Sequence, residues 1–203
     1  MSGIQPPAVV RYADLKPQPW RNGGGTTREI ARGPAGAAPD AWGWRLSIAD
    51  VGRAGDFSVF EGMERILTVI EGELLLLTVD GREQGLERYR PFRFDGGAAT
   101  SAALPTGPIR DLNVITAAGH RAYVTVVELS RNRPHPVFGG QFAVLLQGTA
   151  VVNGPDGAGK TDLSRFDAVL GEEENPPEVS GRGFLAVVSI EAVSTEGASA
   201  SVG

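Results

Sequence analysis

The chain has 203 residues and no cysteine, which excludes disulfides, thiolate metal sites and a cysteine nucleophile. A formal charge of −5 argues against a global positive field for nucleic acid or an anionic membrane, while leaving room for a local basic pocket. Hydrophobic content of 41% with 28 Gly and 14 Pro is the balance of a turn-rich globular chain, all-β in class, in one large domain or two small ones.

From the N-terminus, Val9 to Leu15 reads as a first short strand that must end near Lys16, because Pro17 and Pro19 force an extended or turning path into Trp20. The start lacks the basic and apolar regions of a secretory signal, and the apolar runs are too short for a bilayer span. A cytoplasmic setting is therefore expected. Arg21 to Ile30 carries three consecutive glycines, Gly23-Gly24-Gly25, which suit either a flexible loop or a backbone nest that holds an anion. Arg32 to Ala41, rich in Gly, Ala and Pro, reads as a surface loop.

Trp42 to Gly81 is the stretch around which the chain is organised, with aliphatic and β-branched runs broken by Gly52, Gly55, Gly62, Gly72 and Gly81. It predicts strands separated by turns. Alternation along a strand puts Arg45 and Ser47 on one face and Trp44, Leu46 and Ile48 on the other. A strand over Asp56 to Phe60 places Ser58 with Asp56 and Phe60. The next strand sets Arg65, Leu67, Val69 and Glu71 against Ile66, Thr68 and Ile70. Two readings stay open: the arginines line a cavity, or they snorkel from an outer face into solvent.

Beyond Gly81 a charged connection leads to a strand over Tyr89 to Asp95 and then to a Gly/Ala/Ser/Thr-rich loop ending at Gly107. Arg110 to Thr116 alternates and puts Asp111 and Asn113 on one face. Strands follow over Tyr123 to Leu129, Phe142 to Val152 and Gly183 to Val193. The small, polar residues 194–203 read as a disordered tail. An internal echo links Ile70-Glu71-Gly72 with Leu146-Gln147-Gly148, each followed by Asp-Gly and then by an Arg-Phe-Asp tripeptide, at 93–95 and 165–167. Two related β modules account for it.

Gly154 to Thr161 matches the phosphate-loop pattern G-x-x-x-x-G-K-[ST], but too little chain follows it to build a nucleotide-binding parallel sheet. A glycine-rich hairpin loop is expected there instead. Only two histidines exist, His120 and His135, with no paired-histidine motif, so no metal site is expected. No nucleophile-elbow motif supports a serine triad. Catalysis through a carboxylate such as Glu71 or Asp111 has no pairing geometry in the sequence.

Trp20-Arg21-Asn22-Gly23-Gly24-Gly25-Thr26-Thr27-Arg28-Glu29-Ile30-Ala31, Trp44-Arg45-Leu46-Ser47-Ile48-Ala49, Phe57-Ser58-Val59-Phe60, Glu71-Gly72 and Asp111-Leu112-Asn113-Val114 together resemble the HutD/Ves family. The resemblance covers most of the chain, from about Arg11 to Val193. It implies an all-β bicupin of the RmlC-like superfamily, two antiparallel β-barrel modules over residues 1–118 and 119–193 that share strands. It also implies a metal-free sensor in histidine utilisation, with urocanate or formylglutamate as candidate ligand, or, through Ves-type members, a link to stress responses.

Carried onto this chain, the resemblance assigns Asn22, Thr27, Glu29, Arg45, Ser47, Phe57, Ser58, Arg65, Asp111 and Asn113 to a ligand pocket. Arg45 or Arg65 would pair with a ligand carboxylate through a bidentate fork, with Ser47, Ser58 and Asn113 orienting the rest and Phe57 covering a planar part. The expectation is thus a cofactor-free, non-enzymatic protein that binds a small carboxylate, acts without nucleic acid or membrane, and is compatible with a homodimer. An isomerase or hydrolase with a carboxylate base is the second reading, and a stress-linked scaffold the third.

Overall fold

The computed structural model describes residues 8–34, 41–154 and 159–193. The tail expected over 194–203 lies outside the described residues, as does most of the loop expected before Trp42. In chain order the strands are β1 (Val9–Val10), β2 (Gln18–Pro19), β3 (Gly25–Gly33), β4 (Trp44–Val51), β5 (Gly55–Asp56), β6 (Met63–Glu71), β7 (Leu74–Val79), β8 (Arg82–Glu87) and β9 (Phe92–Asp95). They continue with β10 (Thr100–Ala103), β11 (Ile109–Ala117), β12 (His120–Leu129), β13 (His135–Pro136), β14 (Gln141–Asn153), β15 (Lys160–Leu163), β16 (Ala168–Leu170) and β17 (Glu178–Ala192). A single 3-10 turn at Tyr12–Asp14 interrupts this pattern among the described residues. No helix there is long and apolar enough to cross a membrane.

Three sheets result. A six-stranded sheet runs β2-β3-β4-β11-β6-β9, a four-stranded sheet runs β5-β10-β7-β8, and a seven-stranded sheet follows β1-β16-β14-β17-β12 with β13 on β17 and β15 on β14. All strand pairs are antiparallel. The six-stranded sheet has apolar residues on both faces, and its two faces enter different cores. Leu46, Ile48, Ile66, Ile70, Leu112 and Val114 meet Phe142, Val144, Ala186 and Val188 of the seven-stranded sheet. Val51, Leu67, Val69 and Ile109 instead meet Leu75, Leu77 and Ala102 of the four-stranded sheet. A third core, with Leu145, Val152, Val179 and Leu185, is enclosed by the curled seven-stranded sheet.

The internal echo has a counterpart in the topology. The order β9-β6-β11-β4 in one sheet repeats as β16-β14-β17-β12 in the other. Its two glycines sit at the corners: Gly72 has φ +89 where the chain passes from β6 to β7, and Gly148 has φ +100 just beyond a bulge in β14. Only glycine takes such backbone angles without strain, and a Cβ on Gly148 would also collide with the Arg182 carbonyl. The Asp80-Gly81 pair makes the two-residue turn of the β7–β8 hairpin, both residues having positive φ. The second Arg-Phe-Asp ends in buried Asp167, which accepts hydrogen bonds from Arg11 Nη1 (2.6 Å) and from the backbone N–H of Tyr12 and Ser164 (2.9 Å each). These bonds hold the N-terminal segment against the seven-stranded sheet.

Several expected elements differ in extent. The first strand stops at Val10, because Tyr12–Asp14 turns as a 3-10 helix. The strand expected over Asp56 to Phe60 is regular only at Gly55–Asp56, and the one expected from Tyr89 begins at Phe92, after Pro91 removes a donor. The loop expected before Gly107 contains β10, whose small residues pair by backbone with β7 and β5. Within the phosphate-loop match, residues 155–158 lie outside the described residues, while Lys160 and Thr161 belong to β15, paired with β14, rather than to a helix start.

Leu112 is fully buried between two sheets, so Leu112→Ala should cost about 2–5 kcal/mol of unfolding free energy. In a urea titration followed by tryptophan fluorescence, Val59→Ala at a half-exposed position should stay within about 0.5 kcal/mol of wild type.

Candidate functional site

The face of the six-stranded sheet that looks towards the four-stranded sheet changes character along its length. Register places Thr27, Ala49, Asp111 and Val69 in one cross-strand row, and Glu29, Ser47, Asn113 and Leu67 in the next. The third row holds Arg45, Ile115 and Arg65. Val69 and Leu67 belong to the apolar core, but the polar members of these rows other than Glu29 face a cavity of about 490 Å³. Its remaining walls come from Pro19 to Asn22 before β3 and from the segment running from Asp56, the last residue of β5, to Phe60.

A hydrogen-bonded chain crosses the floor. Arg65 donates through Nη1 to the Ser58 carbonyl (3.3 Å) and through Nη2 to Asn113 Oδ1 (3.0 Å), and Asn113 Nδ2 in turn donates to Asp111 Oδ1. These bonds leave Nε of Arg65 and Oδ2 of Asp111 buried without partners, and Arg45 Nε is in the same condition. Aromatic faces hold the guanidinium planes: Arg65 lies 5.1–5.4 Å from the ring centres of Phe57, Phe60 and Phe94, and Arg45 lies 5.0 Å from Trp42 and 5.4 Å from Phe60. Phe60 is shared by both. Trp20 packs edge-on to Phe57 and donates from its indole N–H to Thr27 Oγ1 (2.8 Å).

Burial lowers the pKa of Arg65 to about 10, opposed by the charge of Asp111 and reinforced by that of Arg45. Arg45 is lowered by burial too, with Glu29 opposing. Both remain cations at neutral pH. Burial pushes the Asp111 carboxyl up to about 7, against the pull of Arg65, while Asp50 pushes it further up and the Asn113 hydrogen bond draws it down.

Of the residues expected in a pocket, Asn22, Thr27, Arg45, Ser47, Phe57, Ser58, Arg65, Asp111 and Asn113 line this cavity. Glu29 does not. Its strand bulges between Glu29 and Ala31 near the sheet edge, and its carboxylate pairs with Arg32 at 3.4 Å. Sequence reasoning missed Trp20, Arg21, Asp56, Phe60 and Ile115 as lining residues. Phe60 and Asp56 were legible as neighbours of Ser58, and Ile115 as the residue two beyond Asn113. Glu71, the other carboxylate considered for catalysis, lies outside the cavity in a network where Arg110 and Arg165 reach it at 3.0 and 3.4 Å. Neither histidine lines the cavity, and no three His, Asp or Glu side chains among the described residues come together in a metal-binding arrangement.

A family model described as HutD matches residues 12–187. The chain belongs to the HutD family. An uncharacterised 21.2 kDa protein in the hutC 3′ region of Pseudomonas putida is 44% identical over 118 residues, 58% of this chain and 60% of that protein. Protein Ves of Citrobacter koseri is 40% identical over 53% of this chain and 58% of its own. The chain thus spans about three fifths of the length of these curated relatives. Among solved structures, HutD from Pseudomonas fluorescens SBW25, determined in a formate condition, is 34% identical with a TM-score of 0.76, covering 92% of this chain and 99% of that one. A conserved protein of unknown function from Pseudomonas aeruginosa PAO1 gives 31% and 0.79, over 91% and 98%. A cupin 2 conserved barrel domain protein from Leptotrichia buccalis, at 8% identity and a TM-score of 0.59, shares the fold.

Asp111 has its folded pKa raised far above its unfolded value of about 3.9, so its stabilising contribution is present at low pH and is lost as pH rises through about 7. The stability of wild type relative to Asp111→Asn should therefore fall between about pH 4 and 7, by at most about 1.4 kcal/mol per pH unit, and be flat above that range. Urea unfolding of both proteins from pH 4 to 8 reads it. A constant difference would contradict the assignment.

Proposed function

We propose that this protein binds a small carboxylate metabolite through Arg45 and Arg65, without a metal ion, and acts as a sensor linked to histidine utilisation. The observation that carries the reading is the pair of arginines, one buried and one half-buried, that line one cavity and whose Nε–H donors are both buried without partners. Among the described residues neither arginine has a carboxylate in an ion pair, whereas the partly or fully exposed arginines 28, 93, 110 and 165 do. A bound carboxylate would supply the missing acceptors and balance two like charges. Phe57, Phe60 and Trp20 offer apolar surface to the rest of a small molecule.

The link to histidine utilisation is supported by relatives: one carries the name HutD, and another is named for its place beside hutC. Urocanate and formylglutamate are the candidate ligands, both being small carboxylates. The repeated strand order supports a bicupin organisation in which the first module holds the ligand. A second reading, an isomerase or hydrolase, is favoured by one observation, a carboxyl group in the cavity with a pKa near neutrality, as a general base requires.

Calorimetric titration of the metal-stripped protein with urocanate, formylglutamate, glutamate and formate tests the proposal. Saturable binding without a product in mass spectrometry supports the sensor, product formation supports the enzyme, and no binding by any of the four contradicts both. Arg45→Ala should weaken binding of the compound that saturates by about tenfold or more while leaving the unfolding midpoint nearly unchanged. Unaltered affinity would remove Arg45 from the site.

A further inference from the structure

Two kinds of hydrogen-bonding capacity stand unused in the cavity. Arg45 Nε and Arg65 Nε are buried donors, whereas Asp111 Oδ2 is a buried oxygen with no partner. All three residues line the same cavity. Asn113 fixes the polarity between them: its amide oxygen accepts from Arg65, so its amide N–H must point to Asp111 Oδ1. One end of the floor therefore calls for an acceptor on the ligand. At the other end the Asn113 N–H satisfies one carboxylate oxygen and leaves the second buried beneath the cavity floor without a partner.

We propose that Asp111 is a specificity-determining residue that requires an N–H or O–H donor on the ligand, so that the site selects a small carboxylate carrying such a donor away from its anionic end. The inference rests on the carboxylate reading above and adds a second pole to it. A buried acceptor left unpaired costs much of its desolvation penalty, so a ligand that offers a donor there gains over one of equal shape that does not. Sites built this way discriminate strongly against analogues that lack the polar group.

The charged groups around Asp111 are Arg65 from β6, Asp50 from β4, and, on the cavity wall, Arg45 from β4, Asp56 at the end of β5 and Arg21 before β3. Arg65 favours its ionised form, while burial and Asp50 oppose it. With its pKa raised to about 7, Asp111 is part protonated in the empty site near neutrality. A ligand N–H at Oδ2 favours the carboxylate, so a ligand with that donor expels more of this proton than one of the same charge without it.

The test compares 3-(pyrrol-2-yl)acrylate with 3-(furan-2-yl)acrylate, a pair of the same shape in which a ring N–H is replaced by an oxygen. Titration of the wild-type protein at pH 7 should show the pyrrole compound binding about ten- to hundredfold more tightly. Compared with the furan compound, its heat should vary with the ionisation enthalpy of the buffer further in the direction of proton release. In Asp111→Asn both the preference and the difference in buffer dependence should disappear. Equal affinity of the two compounds for wild type overturns the donor requirement and leaves the carboxylate reading intact. Binding of neither overturns both. A preference for the pyrrole that survives in Asp111→Asn assigns the donor contact to another group and overturns the role of Asp111.

Discussion

Side-chain alternation along β4, β11 and β6 is the constraint on which both the core and the cavity depend. These three adjacent strands occupy the middle of the six-stranded sheet and are covered on both faces. Leu46, Ile48, Leu112, Val114 and Ile66 point to the seven-stranded sheet, and Arg45, Ser47, Asp111, Asn113 and Arg65 point the other way into the cavity. A one-residue slip of any of them would drive a guanidinium or a carboxylate into an apolar core and would carry leucine or isoleucine into the cavity. Register is thus specified by the cost of the wrong pairing as much as by the gain of the right one. That same rigidity holds the polar groups at fixed separations.

The cations on this sheet fall into two populations. On the face towards the seven-stranded sheet, Arg28 and Arg110 converge on Asp50, while Arg110 and Arg165 converge on Glu71, with Tyr12 and Phe166 beneath the guanidinium planes. Those charges are neutralised within the protein and fasten the sheets together. In the cavity, Arg45 and Arg65 both lie against aromatic faces, Arg65 also donates to two neutral oxygens, neither has a carboxylate in an ion pair, and Asp111 is bridged to Arg65 by Asn113. Burial of two like charges is tolerable because each ring face and each neutral acceptor contributes a little. The arrangement is poised for an anion that would do the rest.

Much of this was legible in the sequence. The alternation of Arg45 with Leu46 and of Arg65 with Ile66 assigned faces correctly, because period-two patterning survives wherever a strand is long and regular. Which face was internal could not be read, since both faces are buried and the arginines suited a cavity and a solvent-facing surface equally well. Glu29 followed the same alternation but lies outside the cavity, because a bulge re-aims the strand and a bulge leaves no mark in composition. Phe57 and Ser58 are consecutive and both line the cavity, which only an irregular segment permits. Thr100–Ala103 forms a strand through pairing with a leucine-rich neighbour, a tertiary cause that the segment's own small residues conceal.

The central claim is that an anion enters between Arg45 and Arg65 and is met by their unpaired Nε–H groups. The most direct measurement follows the arginine side-chain Nε–H signals by nuclear magnetic resonance as formate is added, with assignments from Arg45→Lys and Arg65→Lys. The account predicts saturable shifts of these two signals at a common midpoint, with the paired arginines Arg28 and Arg110 unmoved. Linear drift of all four signals together, or no shift at Arg45 and Arg65 up to high formate, would contradict it.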